Sequence, residues 1–198
     1  MTYSVIGSGL IGSAIARQFS RAGLDILIAN RRGADSLNDL ARELGAHIRP
    51  VPLAEALAAD MVFLALPYDA IGEATGGVAD WKGRIVIDAT NAIDFPAFTP
   101  RDLGGRPSSD IVAGTLKGGR LVKAFNTLPA AILAKDPAEA PGRRVLFVSG
   151  NDDAANTQVA SLIQKLGFAP IMLGKPAEGG RLQQFGGPLV AQNFIKAA

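Results

Sequence analysis

The sequence predicts an α/β fold with a doubly wound, mostly parallel sheet and a short helical C-terminal tail. Three observations predict it. A complete glycine motif, Gly7-Ser8-Gly9-Leu10-Ile11-Gly12, joins the first apolar strand to the first helical pattern. Strand and helix patterns then alternate along the chain, as in a parallel sheet covered by helices on both faces. The continuous apolar run from Met61 to Leu66 is typical of a central parallel strand.

The predicted elements follow one another in a regular order. The first helix, 10–23, has apolar residues at helical spacing on one face, and the second, 35–45, has the same spacing and ends at Gly45. Strands are predicted at 2–6, 24–30, around Ile48, 61–66, 85–88, 121–125, 144–149 and 168–173, and further helices at 53–58 and 152–166. Two segments, 91–108 and 135–143, are predicted as irregular loops.

The C-terminal residues 179–198 predict a helical tail because apolar side chains recur along it. These are Leu182, Phe185, Leu189, Val190, Phe194 and Ile195. No repeat, low-complexity tract or linker divides the chain. We therefore predict one domain, 1–198, with the tail packed on that domain or against a second subunit.

Each glycine of the N-terminal motif has its own role in a turn that binds a dinucleotide. Gly7 allows the tight bend from strand to helix, and Gly9 lets the backbone approach a pyrophosphate. Gly12 removes a side chain where the helix must lie close to the sheet. The free N–H groups at the start of the helix then face the phosphates. The motif therefore predicts a Rossmann-type domain that binds a dinucleotide cofactor.

The end of the second strand indicates which dinucleotide binds. A domain selective for NAD normally has Asp or Glu there, which holds the ribose 2′-hydroxyl. This chain has Asn30, followed by Arg31 and Arg32. A guanidinium can bind a 2′-phosphate through paired charge-assisted hydrogen bonds, whereas a carboxylate would repel it. The predicted cofactor is therefore NADPH, although two arginines in a loop can also be merely solvated.

Composition excludes several other classes of protein. No run approaches about 20 apolar residues, so a transmembrane span is not expected. The chain has no cysteine, which excludes disulfides and thiolate metal sites, and we expect no metal. A net charge of +2 without a basic run does not suggest nucleic-acid binding. With no signal peptide recognisable at its start, the sequence favours a cytoplasmic enzyme that acts on a small molecule.

The predicted strand ends give the expected position of the chemistry. Leu66-Pro67-Tyr68, Asp88-Ala89-Thr90-Asn91 and Phe125-Asn126-Thr127-Leu128-Pro129 should line the nicotinamide end of the groove. His47 falls away from all of these ends, and Asp88 is better explained as a residue that holds a turn. We therefore predict no catalytic acid or base. This favours an acceptor that takes a hydride and holds the charge in its own ring system, as flavins and deazaflavins do.

Several segments together resemble the NADPH-dependent reductases of the 8-hydroxy-5-deazaflavin coenzyme, coenzyme F420. The resemblance spans nearly the whole chain and is most specific at Lys123-Ala124-Phe125-Asn126-Thr127-Leu128-Pro129. The other segments that carry it are the Gly7–Gly12 turn, Ala29-Asn30-Arg31-Arg32-Gly33, Leu66-Pro67, Asp88-Ala89-Thr90-Asn91 and Gly180-Arg181-Leu182. One departure is Ser8, where well-described members have a threonine in a Gly-Gly-Thr-Gly turn.

The resemblance implies a homodimer that moves a hydride between the nicotinamide and the deazaflavin. It implies that residues Ser8 to Ile11 contact the pyrophosphate and that Asn30, Arg31 and Arg32 bind the 2′-phosphate. Leu66 and Pro67 would contact the ribose and nicotinamide, while Asn126, Thr127 and Pro129 would border the stacked rings. The Ser8 departure leaves other acceptors open, namely a flavin, an imine or another small acceptor. A non-catalytic NADPH-binding module that senses redox state also remains open.

Overall fold

Strands and helices alternate in the computed structural model, which describes residues 1–139 and 142–197. The strands are β1 (Tyr3–Ile6), β2 (Ile26–Ala29), β3 (Ile48–Pro50), β4 (Met61–Leu64), β5 (Ile85–Asp88), β6 (Ile93–Asp94), β7 (Thr99–Pro100), β8 (Arg120–Lys123), β9 (Ala138–Glu139), β10 (Gly142–Gly150), β11 (Ala169–Met172) and β12 (Ile195–Ala197). The helices are α1 (Leu10–Arg21), α2 (Asn38–Leu44), α3 (Leu53–Leu57), α4 (Ile71–Thr75), α5 (Ser108–Thr115), α6 (Ala130–Leu133) and α7 (Asp153–Lys165). Short 3-10 helices cover Ala34–Leu37, Tyr68–Ala70 and Gly179–Gln183.

One large sheet organises the molecule in the order β11-β10-β8-β5-β4-β1-β2-β3. The six strands from β8 to β3 are parallel, whereas β10 runs antiparallel to β8. The chain moves outward in one direction from β1 to β2 and β3, and in the other from β4 to β5 and β8. A crevice therefore opens beyond the carboxyl ends of β1 and β4, where dinucleotides bind in this architecture. The predicted Rossmann-type fold is confirmed.

Both faces of the sheet are buried. On one face three rings pack edge to face, with Phe63 5.7 Å from Phe19 and 5.2 Å from Phe125 between ring centroids. On the other face Trp81, fully buried, packs against apolar residues of the sheet. Burial on two sides explains why the central strands read as continuous apolar runs rather than as alternating patterns.

The predicted helical tail is wrong. Residues 179–183 form a single 3-10 turn, and β12 pairs antiparallel with β10. Gly186 has a φ of 90°, and Pro188 has no N–H to donate, so an α-helix cannot continue through them. The ring of Phe194 lies edge to face on Phe147, 5.8 Å away, so the tail packs on its own chain. A dimer contact through the tail stays a prediction, and Ala198 lies outside the described residues.

The two predicted loops contain regular structure. The first, 91–108, includes the β6–β7 hairpin, and the second, 135–143, includes β9 and the start of β10. Residues 140 and 141 of the second loop lie outside the described residues. Helices α5 and α6 were not predicted, and each begins directly after a proline, a residue whose fixed φ suits the start of a helix. Among the helices of the described residues, none is long and apolar enough to cross a membrane.

Candidate cofactor and active site

The glycine turn between β1 and α1 leaves space on one side only. Gly7 has a φ of 111°, and a β-carbon there would lie 2.1 Å from the carbonyl oxygen of Ala65. A β-carbon on Gly12 would lie 1.9 Å from the carbonyl oxygen of Gly7. At Gly9, by contrast, a β-carbon would meet no atom within 4 Å. Two glycines are thus required by close backbone packing, and the third faces open space of the kind that a pyrophosphate needs.

The N-terminus of α1 has the features of an anion-binding site. Gly9 is its N-cap and offers no side chain, and no acidic residue lies in the first turn. Leu10 is 82% exposed, so the turn is open to solvent, and Ile11 is half-buried behind it. Uncapped N–H groups and the positive end of the helix dipole favour a phosphate at this position.

Asn30 connects the glycine turn to the loop that follows β2. Its Nδ2 donates to Ser8 Oγ at 2.9 Å and to Ser36 Oγ at 3.1 Å. Its Oδ1 accepts from the backbone N–H of Arg32 at 2.8 Å. Asn30 therefore fixes the backbone from which both arginines project, and it places Ser36, a residue that the sequence analysis missed, beside them.

The side chains of Arg31 and Arg32 are exposed and available for a ligand. Within residues 1–139 and 142–197, neither guanidinium forms an ion pair or a hydrogen bond with another side chain. Other surface arginines of the same half of the chain are paired, as Arg17 is with Glu43. Two unpaired guanidinium groups at the end of β2 suit a 2′-phosphate.

The predicted residues Asn91 and Asn126 meet at the other end of the groove. Asn91 Nδ2 donates to the Asn126 carbonyl oxygen at 2.9 Å, and Asn126 Nδ2 donates to Asn91 Oδ1 at 3.0 Å. Asn126 and Thr127 are buried, at 4% and 3% exposure. The Asn91 and Asn126 side chains therefore hold the wall of the groove together, and Pro129, which is exposed nearby, is better placed to contact a ligand.

Gln183 of the tail completes this wall, and the sequence analysis did not single it out. It is fully buried, and its carbonyl oxygen accepts from Asn126 Nδ2 at 2.7 Å. Its Nε2 donates to the Lys123 carbonyl oxygen at 3.0 Å and to Ser149 Oγ at 2.7 Å. The tail thus contributes Gln183 to the candidate site, and the N–H of Ala191, further along the tail, donates to the Thr127 carbonyl oxygen at 2.7 Å.

A buried ion pair lies beneath the β5 end of the site. Lys123 Nζ is 2.9 Å from Asp88 Oδ2 and donates to the Thr90 carbonyl oxygen at 2.9 Å, and both charged side chains are at most 1% exposed. Asp88 Oδ1 also accepts from the N–H and the hydroxyl of Thr90. The prediction that Asp88 holds the turn after its strand is confirmed, and its partner Lys123 was not foreseen.

Leu66 and Pro67 follow β4 and lead into the 3-10 turn that contains Tyr68. Pro67 is exposed, and Leu66 packs partly on the core. The Tyr68 hydroxyl is buried without a hydrogen-bond partner among the described residues. Burial, together with the charge of Asp88, raises the pKa of the Tyr68 phenol, so this group stays protonated and neutral.

His47 lies far from this groove. It forms a contact of 2.7 Å with Asp25 on the surface, before β3. No group of three or more metal-ligating side chains occurs in the described part of the chain.

Comparison with known proteins agrees with this picture. The hypothetical protein SMa0349 from Sinorhizobium meliloti is 56% identical, with a TM-score of 0.97 over 99% of this chain and 96% of that one. At this identity over nearly the full length of both, the two proteins belong to one family. Residues 2–92 match the family model described as NADP oxidoreductase coenzyme F420-dependent, and the match ends directly before β6. No curated protein matches the chain.

Two more distant structures share the fold. A candidate F420-dependent NADP-reductase from Arthrobacter sp. FB24 is 24% identical, with a TM-score of 0.78 over 99% of this chain and 100% of that one. A reductive aminase from Aspergillus terreus, in complex with NADPH and ethyl-5-oxohexanoate, is 20% identical, with a TM-score of 0.68. This chain is covered over 93% of its length in that comparison, but the aminase over only 59%. The predictions of NADP as cofactor and of an NADP-dependent oxidoreductase are confirmed at the level of the family.

Proposed function

We propose that this protein binds NADPH and transfers a hydride between its nicotinamide and a deazaflavin-type acceptor. The observation that carries the proposal is the open glycine turn facing two unpaired arginines. Gly9 leaves space for the pyrophosphate, and Arg31 and Arg32 follow the next strand, where neither guanidinium has a side-chain partner among the described residues. The residues present fit both phosphate groups of NADPH, the pyrophosphate and the 2′-phosphate.

The nicotinamide end supports an acceptor that needs no proton donor from the protein. The Asp88 carboxylate is occupied by Lys123 and Thr90, and the Tyr68 phenol is buried. Asn91, Asn126 and Thr127 do not titrate near neutrality. A carbonyl or imine reductase normally supplies a positioned acid, whereas a deazaflavin can hold the charge in its own rings.

When bound, NADPH supplies a hydride with two electrons and becomes NADP⁺, and the acceptor takes the hydride and one proton from solvent. The role of the chain's own residues is to bind the cofactor and to orient it toward the acceptor. The Ser8–Ile11 backbone and the start of α1 would hold the pyrophosphate, and the arginine pair would hold the 2′-phosphate. Leu66, Pro67 and the Asn91–Asn126 pair would border the nicotinamide. Positioning of this kind is a major source of rate enhancement in hydride transfer between two bound rings.

Anaerobic mixing of the protein and NADPH with a panel of acceptors tests the proposal. The panel contains 8-hydroxy-5-deazaflavin, FMN and a cyclic imine, and the near-ultraviolet absorbance of NADPH reports its oxidation. Rapid oxidation with the deazaflavin and slow oxidation with the imine is the expected result. Turnover of the imine alone would contradict the acceptor class. Tight NADPH binding without turnover of any acceptor would favour a redox-sensing module.

We also infer that the chain forms a homodimer, as the resemblance implies. Support comes from exposed apolar residues along the sheet edge and the tail, namely Ile171, Met172, Leu182 and Phe194. Apolar surface of this kind commonly marks an association site. Light scattering on the intact chain should give twice the monomer mass, and a well-behaved monomer would contradict the inference.

A further inference from the structure

The β6–β7 hairpin carries two aromatic rings that the domain does not bury. Phe95 is 74% exposed and Phe98 is 61% exposed, and their ring centroids lie 5.9 Å apart. Phe98 also meets Phe185 of the tail edge to face at 5.3 Å. We call these three residues the aromatic cluster. Exposed rings that contact one another, outside the core, are typical of a binding surface.

The hairpin stands on the nicotinamide end of the groove. It begins two residues after Asn91, and Arg101 closes its base by binding Asp94 at 2.8 Å. The same guanidinium binds Asp69, with one contact of 3.0 Å, and Asp69 lies two residues after Pro67. Arg101 thus joins the hairpin that follows β5 to the loop that follows β4. The ends of β4 and β5, which border the proposed nicotinamide site, therefore also hold the hairpin in place.

The third ring comes from the tail segment that completes the same wall of the groove. Phe185 lies two residues after Gln183, whose carbonyl oxygen binds Asn126. The segment is held close to the hairpin at Gly186, where a β-carbon would lie 2.5 Å from a side-chain atom of Pro100. The aromatic cluster is therefore assembled from chain segments that each continue from a residue of the candidate site.

The backbone of Phe98 is adapted to present its ring. Its φ of 54° lies in the left-handed region, which bulky residues rarely adopt. Glycine or asparagine would serve a simple turn better. An exposed phenylalanine in such a conformation points to a role for the ring itself.

We propose that the aromatic cluster binds the ring system of the hydride acceptor, and that this acceptor is a planar, conjugated molecule of the flavin or deazaflavin class. The inference rests on the proposed function, because it assumes a nicotinamide beside Asn91. The hairpin lies outside residues 2–92, the part of the chain that matches the family model. The three residues of the aromatic cluster therefore lie outside the segment that the family model matches.

Three variants at Phe98 test the proposal, and each is compared with the unmodified chain. Phe98→Ala removes the ring, Phe98→Leu retains apolar surface without a ring, and Phe98→Tyr retains the ring. The probes are riboflavin and 8-hydroxy-5-deazaflavin, whose equilibrium binding is measured calorimetrically with NADP⁺ present. NADPH affinity and thermal stability are measured for every variant, because the exposed side chain should affect neither.

Phe98→Ala and Phe98→Leu should each bind the two probes about fivefold to a hundredfold more weakly, the range seen when an aromatic residue that stacks on a planar base is removed. Phe98→Tyr should bind them as the unmodified chain does. Unchanged probe affinity in Phe98→Ala, with NADPH binding intact, would overturn this inference and leave the proposed cofactor in place. Conversion of a dimer to a monomer with unchanged probe affinity would overturn it too, because the cluster would then be a contact between copies. Failure of the unmodified chain to bind NADPH would instead contradict the proposed function.

Discussion

Gly9 and Gly12 belong to the same turn, but the space around them predicts opposite effects of an alanine. A β-carbon at Gly12 would lie 1.9 Å from the Gly7 carbonyl oxygen, so backbone atoms would have to move. Overpacking of this kind costs roughly 1–3 kcal/mol in the free energy of unfolding. At Gly9 a β-carbon meets nothing within 4 Å, and the φ of −72° is an ordinary value for alanine. Gly9→Ala should therefore leave the free energy of unfolding unchanged or raise it by about 0.4–1 kcal/mol.

Gly9→Ala should weaken NADPH binding although it does not destabilise the fold. A methyl group at Gly9 occupies the space reserved for the pyrophosphate and should disturb at least one charge-assisted hydrogen bond to it. Such a bond is worth about 1.5–3 kcal/mol, so NADPH should bind about tenfold to a hundredfold more weakly. Urea denaturation gives the stability of each variant, and fluorescence titration gives its NADPH affinity. A stable Gly9→Ala variant with undiminished NADPH affinity would refute the assignment of this open space to the pyrophosphate.

Two further predictions concern the buried polar groups beneath the site. Asp88→Asn leaves the Lys123 ammonium, 1% exposed, without its counter-ion. Urea denaturation should then show a loss of about 3–5 kcal/mol, most of it recovered in the Asp88→Asn/Lys123→Met double variant; equal losses in both would exclude the ion pair as the cause. Gln183→Met should raise the KM for the acceptor. Gln18→Met removes a buried amide that donates to the Leu133 and Lys135 carbonyl oxygens near the C-terminal end of α1, and it should only lower stability. Matching steady-state parameters for the two glutamine variants would show that Gln183 has a structural role alone.

Sequence reasoning located the cofactor groove because its parts are local in the chain. The glycine turn and the Asn30-Arg31-Arg32 segment each lie at the end of one strand, and the carboxyl ends of parallel strands share one edge of the sheet. The predicted strands of the parallel half of the sheet are confirmed, and the central β4 was the plainest of them because burial on both faces makes it a continuous apolar run.

The contacts that sequence reasoning missed join distant parts of the chain. Gln183 is 57 residues from Asn126, and Lys123 is 35 residues from Asp88. No spacing rule relates such pairs, because only the packed fold brings them together. The helix predicted for the tail was wrong for a different reason. Its apolar spacing resembles that of a helix, but Gly186 and Pro188 prevent one, and Leu189 and Phe194 instead pack on β10 and its neighbours.

The affinities of NADPH and NADH, measured for the unmodified chain and for Arg32→Ala, show whether the loop after β2 selects the 2′-phosphate. The unmodified chain should bind NADPH far more tightly than NADH, because the unpaired arginines stand where the 2′-phosphate is expected. Loss of one guanidinium should weaken NADPH about tenfold to a hundredfold, at about 1.5–3 kcal/mol for a charged contact, and leave NADH nearly unchanged. Equal affinity for the two cofactors in the unmodified chain, or an equal loss of both in Arg32→Ala, would contradict the account.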